Sequence, residues 1–149
     1  MRKRLLLATA AATLAFAAPA AAAPFTDVGP LSGPAGQVNF VGGAAGTPGQ
    51  IDWGVPAGGG ASNPTLQGRL RLFNVPGAQA QMHTEYYDAA HNLVTTDSGL
   101  LRNGIAGGLA IYPVNLGPSA AGVTHVHEVL EVNGVVVDTA ICNLGQAAC

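Results

Sequence analysis

The chain is short of charge. Only 9% of its 149 residues are charged, and lysine occurs once, at position 3. Arg2, Lys3 and Arg4 cluster at the N-terminus. Beyond them three arginines (Arg69, Arg71, Arg102) stand against eight acids, a net of about −5. A surface that neutralises phosphates needs clustered Lys and Arg, so the composition argues against nucleic acid as a partner. Long apolar runs are also missing after residue 23, because Gly, Pro or a polar residue interrupts each one, so no membrane span is expected in the mature chain. Aromatic residues make up 5%, with a single Trp, and there are two cysteines. No window shows apolar residues recurring at three and four, no internal repeat appears, and neither Gly-x-Ser-x-Gly nor a phosphate-cradling glycine motif is present. What remains is 48% hydrophobic residues in a length that suits one domain, which argues against wholesale disorder.

The N-terminus reads as a targeting segment. Its basic start precedes the apolar stretch 5–18 and then the small-residue run Pro19 to Ala23, which predicts a signal peptide over 1–22 and a secreted, extracellular protein. The apolar stretch falls short of the roughly 20 residues that span a bilayer. In an oxidising compartment the two cysteines, Cys142 and Cys149, are expected to form a disulfide that pins the C-terminal tail to the last strand.

Composition changes near residue 64. Residues 23–64 are rich in Gly and Pro and read as a loop-rich N-terminal segment with one or two strands, at 37–41 and 50–55. Gly58 to Gly60 reads as a flexible spacer. Trp53, alternating with Ile51 and Val55, suits either a core plug or a binding anchor. Residues 65–149 show the period of two of half-buried strands, at 66–74, 80–87, 93–96, 109–116, 123–132 and 135–142. The expected fold is all-β, an immunoglobulin-like antiparallel β-sandwich of about 7–8 strands over 65–149, with the Gly/Pro-rich lobe before it.

Two hairpins allow a register to be written. Asn133-Gly134 is a strong two-residue turn signal, and it pairs Val132 with Val135, Leu130 with Val137, Glu128 with Thr139 and Val126 with Ile141 on a core face. The other face then sets His125 opposite Cys142, His127 opposite Ala140 and Val129 opposite Asp138. A three-residue loop at Pro76-Gly77-Ala78 pairs Arg71 with His83 and Arg69 with Glu85, the latter as a cross-strand ion pair. A third hairpin runs from Tyr86 to Val94, with Asp88 starting its turn and Asn92 tolerating a left-handed conformation. Its strand-Asp-turn-strand pattern resembles hairpins of bacterial immunoglobulin-like modules, which supports the fold class.

The sharpest chemical signal is Thr124-His125-Val126-His127-Glu128. Two histidines at i and i+2 on a strand project from one face with Cα atoms about 6–7 Å apart, close enough to share zinc or copper. In the register above, Asp138 lies diagonal to His127 as a third ligand, whereas Glu131 lies too far along the strand. A reduced Cys142 facing His125 would make a softer copper site, which disulfide formation precludes. His125-Val126-His127-Glu128 resembles the copper-ligand strand of copper-zinc superoxide dismutases, and that resemblance implies copper on the two histidines. It covers four residues, and no histidine follows His127 to supply the family's later ligands. His125-x-His127-x-x-x-Glu131 also resembles the first metal motif of the cupins, without the flanking glycine spacing or a second motif.

Other chemistry has less support. Ser32, Ser62, Ser98 and Ser119 stand in loop-like contexts without a nucleophile motif, His83 reads as a wet-face residue and His91 as a turn residue. Glu128 breaks the pattern by pointing toward the expected core, where a carboxyl needs a hydrogen-bond partner. The expectation is therefore a secreted, non-catalytic binding or structural module without a cofactor, whose partner is an extracellular protein or a cell-envelope component. The alternative is a small zinc or copper protein centred on His125, His127 and Asp138, and a weaker one an inhibitor or toxin-like domain that uses the glycine-rich lobe.

Overall fold

The computed structural model describes residues 24–43, 46–55, 60–117 and 121–149. The expected signal segment 1–22 lies outside the described residues, as do Gly58, Gly59 and Ser119. The described residues are all-β and form two antiparallel sheets packed face to face. The first sheet holds β1 (Phe25–Val28), β2 (Leu31–Ser32), β3 (Val38–Val41), β4 (Gly49–Asp52), β5 (Thr65–Phe73) and β9 (Leu109–Leu116). The second holds β6 (Gln79–Tyr87), β7 (Leu93–Ser98), β8 (Arg102–Asn103), β10 (His125–Val132) and β11 (Val135–Asn143). The described residues of 24–64 thus contribute four strands to the first sheet, where one or two were expected.

One long strand organises each sheet. Along one edge β5 pairs with β4 through Thr65 to Gln67 and with β3 through Arg69 to Leu72, while β9 covers its other edge. The second sheet repeats the device. There β6 pairs with β10 on one side and shares its other side between β7 and β8. Alternation along these strands sends Leu66, Leu70, Leu72, Met82, Tyr86, Val126 and Leu130 into one core. Phe40 lies in a notch between two glycines, Gly49 and Gly68, where a Cβ would strike its ring.

Trp53 is fully buried, so of its two readings the core plug is the one observed. Its indole N–H donates to the Thr26 hydroxyl at 2.7 Å, which donates in turn to the carbonyl of Gln146 at 2.6 Å. Cys142 and Cys149 form the expected disulfide, with Cα atoms 5.0 Å apart. The tail it holds runs beside β1, with hydrogen bonds from Asp27 N to Ala147 O, Cys149 N to Asp27 O and Gly29 N to Cys149 O. The staple therefore joins the two sheets as well as pinning the tail.

Two expected registers are corrected. β5 and β6 do not pair, so the Arg69–Glu85 and Arg71–His83 contacts are absent. Both edges of β5 are occupied by other strands, and the segment 74–78 carries the chain from one sheet to the other, with Asn74 at φ 48° and Gly77 at φ 77°. The Asn133-Gly134 turn does pair Val132 with Val135 and Glu131 with Val136, but a bulge follows. Past it Leu130 lies opposite Asp138 and Val126 opposite Cys142. One extra residue turns every later side chain of β11 to the other face, so Cys142 is buried and Ile141 is 57% exposed.

Candidate functional site

Alternation on β6 and β10 that sends even-numbered residues inward sends odd-numbered ones outward. Pairing sets His125 opposite Tyr87, His127 opposite Glu85, Val129 opposite His83 and Glu131 opposite Gln81. With His91 from the turn after β6, all four histidines of the chain gather on or beside this outer face. The bulge removes one expected member. Asp138 faces inward, where its Oδ2 accepts the Ser32 backbone N–H at 2.8 Å, so the set His125, His127, Asp138 is not brought together. Among the described residues no three His, Cys, Asp or Glu side chains are arranged to hold a metal ion.

At one end of the face, His83 is held from both sides. Its Nδ1 lies 2.8 Å from Ser98 Oγ, and its Nε2 lies 2.8 Å from Glu131 Oε2. A hydroxyl, an imidazole and a carboxylate in a row form the outline of a nucleophilic relay. Such a relay also needs N–H donors for the oxyanion, one of them usually from the residue after the nucleophile. Here Gly99 N donates to Met82 O at 2.8 Å, and Ser98 N donates to Asp97 Oδ1 at 2.8 Å. Both of these backbone donors are committed to the fold.

In the middle, Tyr87 donates its phenol to Glu85 Oε2 at 2.7 Å, and that bond raises the Tyr87 pKa. His127 Nδ1 lies 3.7 Å from the same carboxylate oxygen, beyond hydrogen-bond range. The Tyr87 ring packs 4.5 Å from His127, centre to centre, and lies parallel to His125 at 6.0 Å.

At the other end, Asp88 shapes the turn. Its Oδ1 accepts the N–H groups of Ala90 and Asn92, and the Asn92 bonds chiefly lower its pKa. The residue in the left-handed conformation is His91, at φ 62°, and not Asn92 as expected. This places the His91 ring 4.2 Å from that of His125. His125 is 7% exposed. Its Nδ1 meets Thr124 Oγ1 at 3.0 Å, while Nε2 is buried without a partner. Burial lowers its pKa, and the neighbouring His91 and His127 lower it further.

The i, i+2 histidines were visible in the sequence. The grouping of Ser98 with His83 and Glu131, and of His91 with His125, was not, because strand pairing and a turn conformation unite them across long stretches of chain. No family model matches the chain, and no curated protein matches it.

Proposed function

We propose that the protein is exported and acts outside the cell membrane as a non-catalytic, immunoglobulin-like β-sandwich. It binds an extracellular protein or a cell-envelope component through the outer face of its second sheet. The observation that carries this reading is the state of the Ser98–His83–Glu131 row. Its side chains are connected, but the N–H groups of Ser98 and Gly99 are already spent on Asp97 and Met82, so these two backbone donors are not free for a developing oxyanion. The rest of the face carries half-buried Tyr87, His127, Glu85, Gln81 and Val129 with exposed Ile141 beside them, and its aromatic and aliphatic groups suit partner contact. Export rests on the basic, apolar and small-residue order of 1–22, and the Cys142–Cys149 disulfide supports it.

Two measurements test the reading. A chromogenic acetate ester incubated with the wild type and with Ser98→Ala should show no Ser98-dependent hydrolysis. A photo-crosslinker placed at Thr96 on the second sheet, in the producing cells, should trap a discrete partner that one placed at Gln67 on the first sheet does not. Ser98-dependent turnover, or equal labelling from the two sheets, would overturn it.

A further inference from the structure

We propose that His91 and His125 form a two-imidazole site for a divalent copper ion at the turn end of the second sheet. The site is built from two independent constraints. Asp88 fixes the turn through its bonds to Ala90 and Asn92, and His91 N donates to Asp88 O at 3.1 Å, which holds His91 over His125. Thr124 fixes the other ring. When Nδ1–H of His125 donates to Thr124 Oγ1, the Nε2 lone pair is left bare, and Nε2 is the buried atom that lacks a partner. An orphaned buried acceptor is costly, and a cation bound there removes that cost. A hydrogen bond on one imidazole nitrogen that leaves the other free is how protein metal sites orient their histidines.

Geometry and charge agree. Two imidazoles bound at right angles to one ion, at about 2.0 Å, hold their ring centres roughly 4–5 Å apart. The observed separation is 4.2 Å, with the ring planes 46° apart. A right angle between neighbouring nitrogens belongs to the tetragonal sites that divalent copper prefers, and copper also binds nitrogen ligands more tightly than zinc does. Asp88 interacts electrostatically with His125 and supplies negative charge beside the pair. Asp138 and His127 are not members, since one faces the opposite side of the sheet and the other packs on Tyr87 beside Glu85.

Cupric chloride titrated into the full chain, followed by calorimetry and electron paramagnetic resonance, tests this. The expected result is one equivalent bound, with a tetragonal spectrum carrying nitrogen hyperfine structure. His91→Asn, which keeps a side chain tolerant of the left-handed turn, should weaken binding at least tenfold, and His125→Asn should do the same. Asp138→Asn should bind as the wild type does, and zinc should compete only in excess. Circular dichroism of His91→Asn shows whether the sandwich is intact, so lost binding in a folded variant counts for the site. No copper bound by the wild type, or copper held equally well by His91→Asn, overturns the proposal.

Discussion

Glu128 is a carboxyl in an apolar core. It has no exposed surface, and the only hydrogen bond it receives among the described residues comes from Thr84 Oγ1 to Oε2 at 2.7 Å. Its Oε1 and the hydroxyl of nearby Tyr86 are both buried without partners. Burial pushes Glu128 up to about 8, against the modest pull of the Thr84 bond, and burial together with Glu128 raises Tyr86. The unfolded carboxyl ionises near 4.5, so between that pH and about 8 the folded state keeps a proton that the unfolded state has released. The stabilisation is fully present below the lower value and is lost as pH rises through the upper one. Each unit of this window is worth about 1.4 kcal/mol at most, so the loss is on the order of a few kcal/mol. Urea unfolding should therefore give a midpoint that drops between pH 5 and pH 8. Glu128→Gln, of the same shape and without a charge, should flatten that slope and be the more stable protein at pH 8. Parallel pH profiles for the two proteins would show that Glu128 does not titrate in this window.

At the scale of strands, the notch around Phe40 shows how closely β3, β4 and β5 approach. A Cβ at Gly68 would meet the Phe40 ring and also lie 2.7 Å from Val41 O, so the ring cannot simply swing away from the clash. Gly68→Ala should cost about 1–3 kcal/mol, read as a lower urea midpoint with unchanged slope. Alternation made most strands legible: Leu109–Leu116 was bounded to the residue, and β5, β6, β10 and β11 to within two. It does not say which strand pairs with which. Leu66 to Asn74 and Ala80 to Tyr87 alternate equally well as a hairpin or as facing strands of two sheets, and Asn74 and Gly77 decide for the second. The bulge in β11 is a single residue with no mark in the pattern, yet it moves Asp138 away from His127. β2 and β8, of two residues each, are too short for periodicity to register. The site was legible to the same extent. His125 and His127 share a strand, whereas Ser98 meets His83 only because β7 pairs with β6, and Glu131 only because β10 does.

Over the whole molecule, the two long sides of the sandwich are closed differently. Between β9 and β7 lies a cleft of about 350 Å³, reaching Leu70, Met82 and Leu116 with Asp97 and Arg102 beside them. On the β1–β11 side the C-terminal tail is laid along β1, and Cys149 is bonded to Cys142 on β11. A disulfide that closes so short a loop is worth on the order of 2–3 kcal/mol in the chain-entropy model. This one has a second effect, because the tail it anchors contributes two backbone hydrogen bonds to β1, one to Gly29 just beyond it, and the carbonyl that ends the Trp53–Thr26 relay. Cys142→Ser/Cys149→Ser should lower Tm by roughly 6–15 °C, the shift that 2–3 kcal/mol produces in a domain of this size. Amide exchange separates the entropic effect from the local one. A staple acting only on the unfolded chain would speed exchange everywhere in proportion to lost global stability. A staple that also holds the sheets together should release Asp27, Gly29 and Cys149 far more than the β6–β10 ladder, while the Trp53 emission shifts red as its indole N–H loses Thr26. Uniform acceleration with unchanged Trp53 emission would mean that the tail stays on β1 without its disulfide.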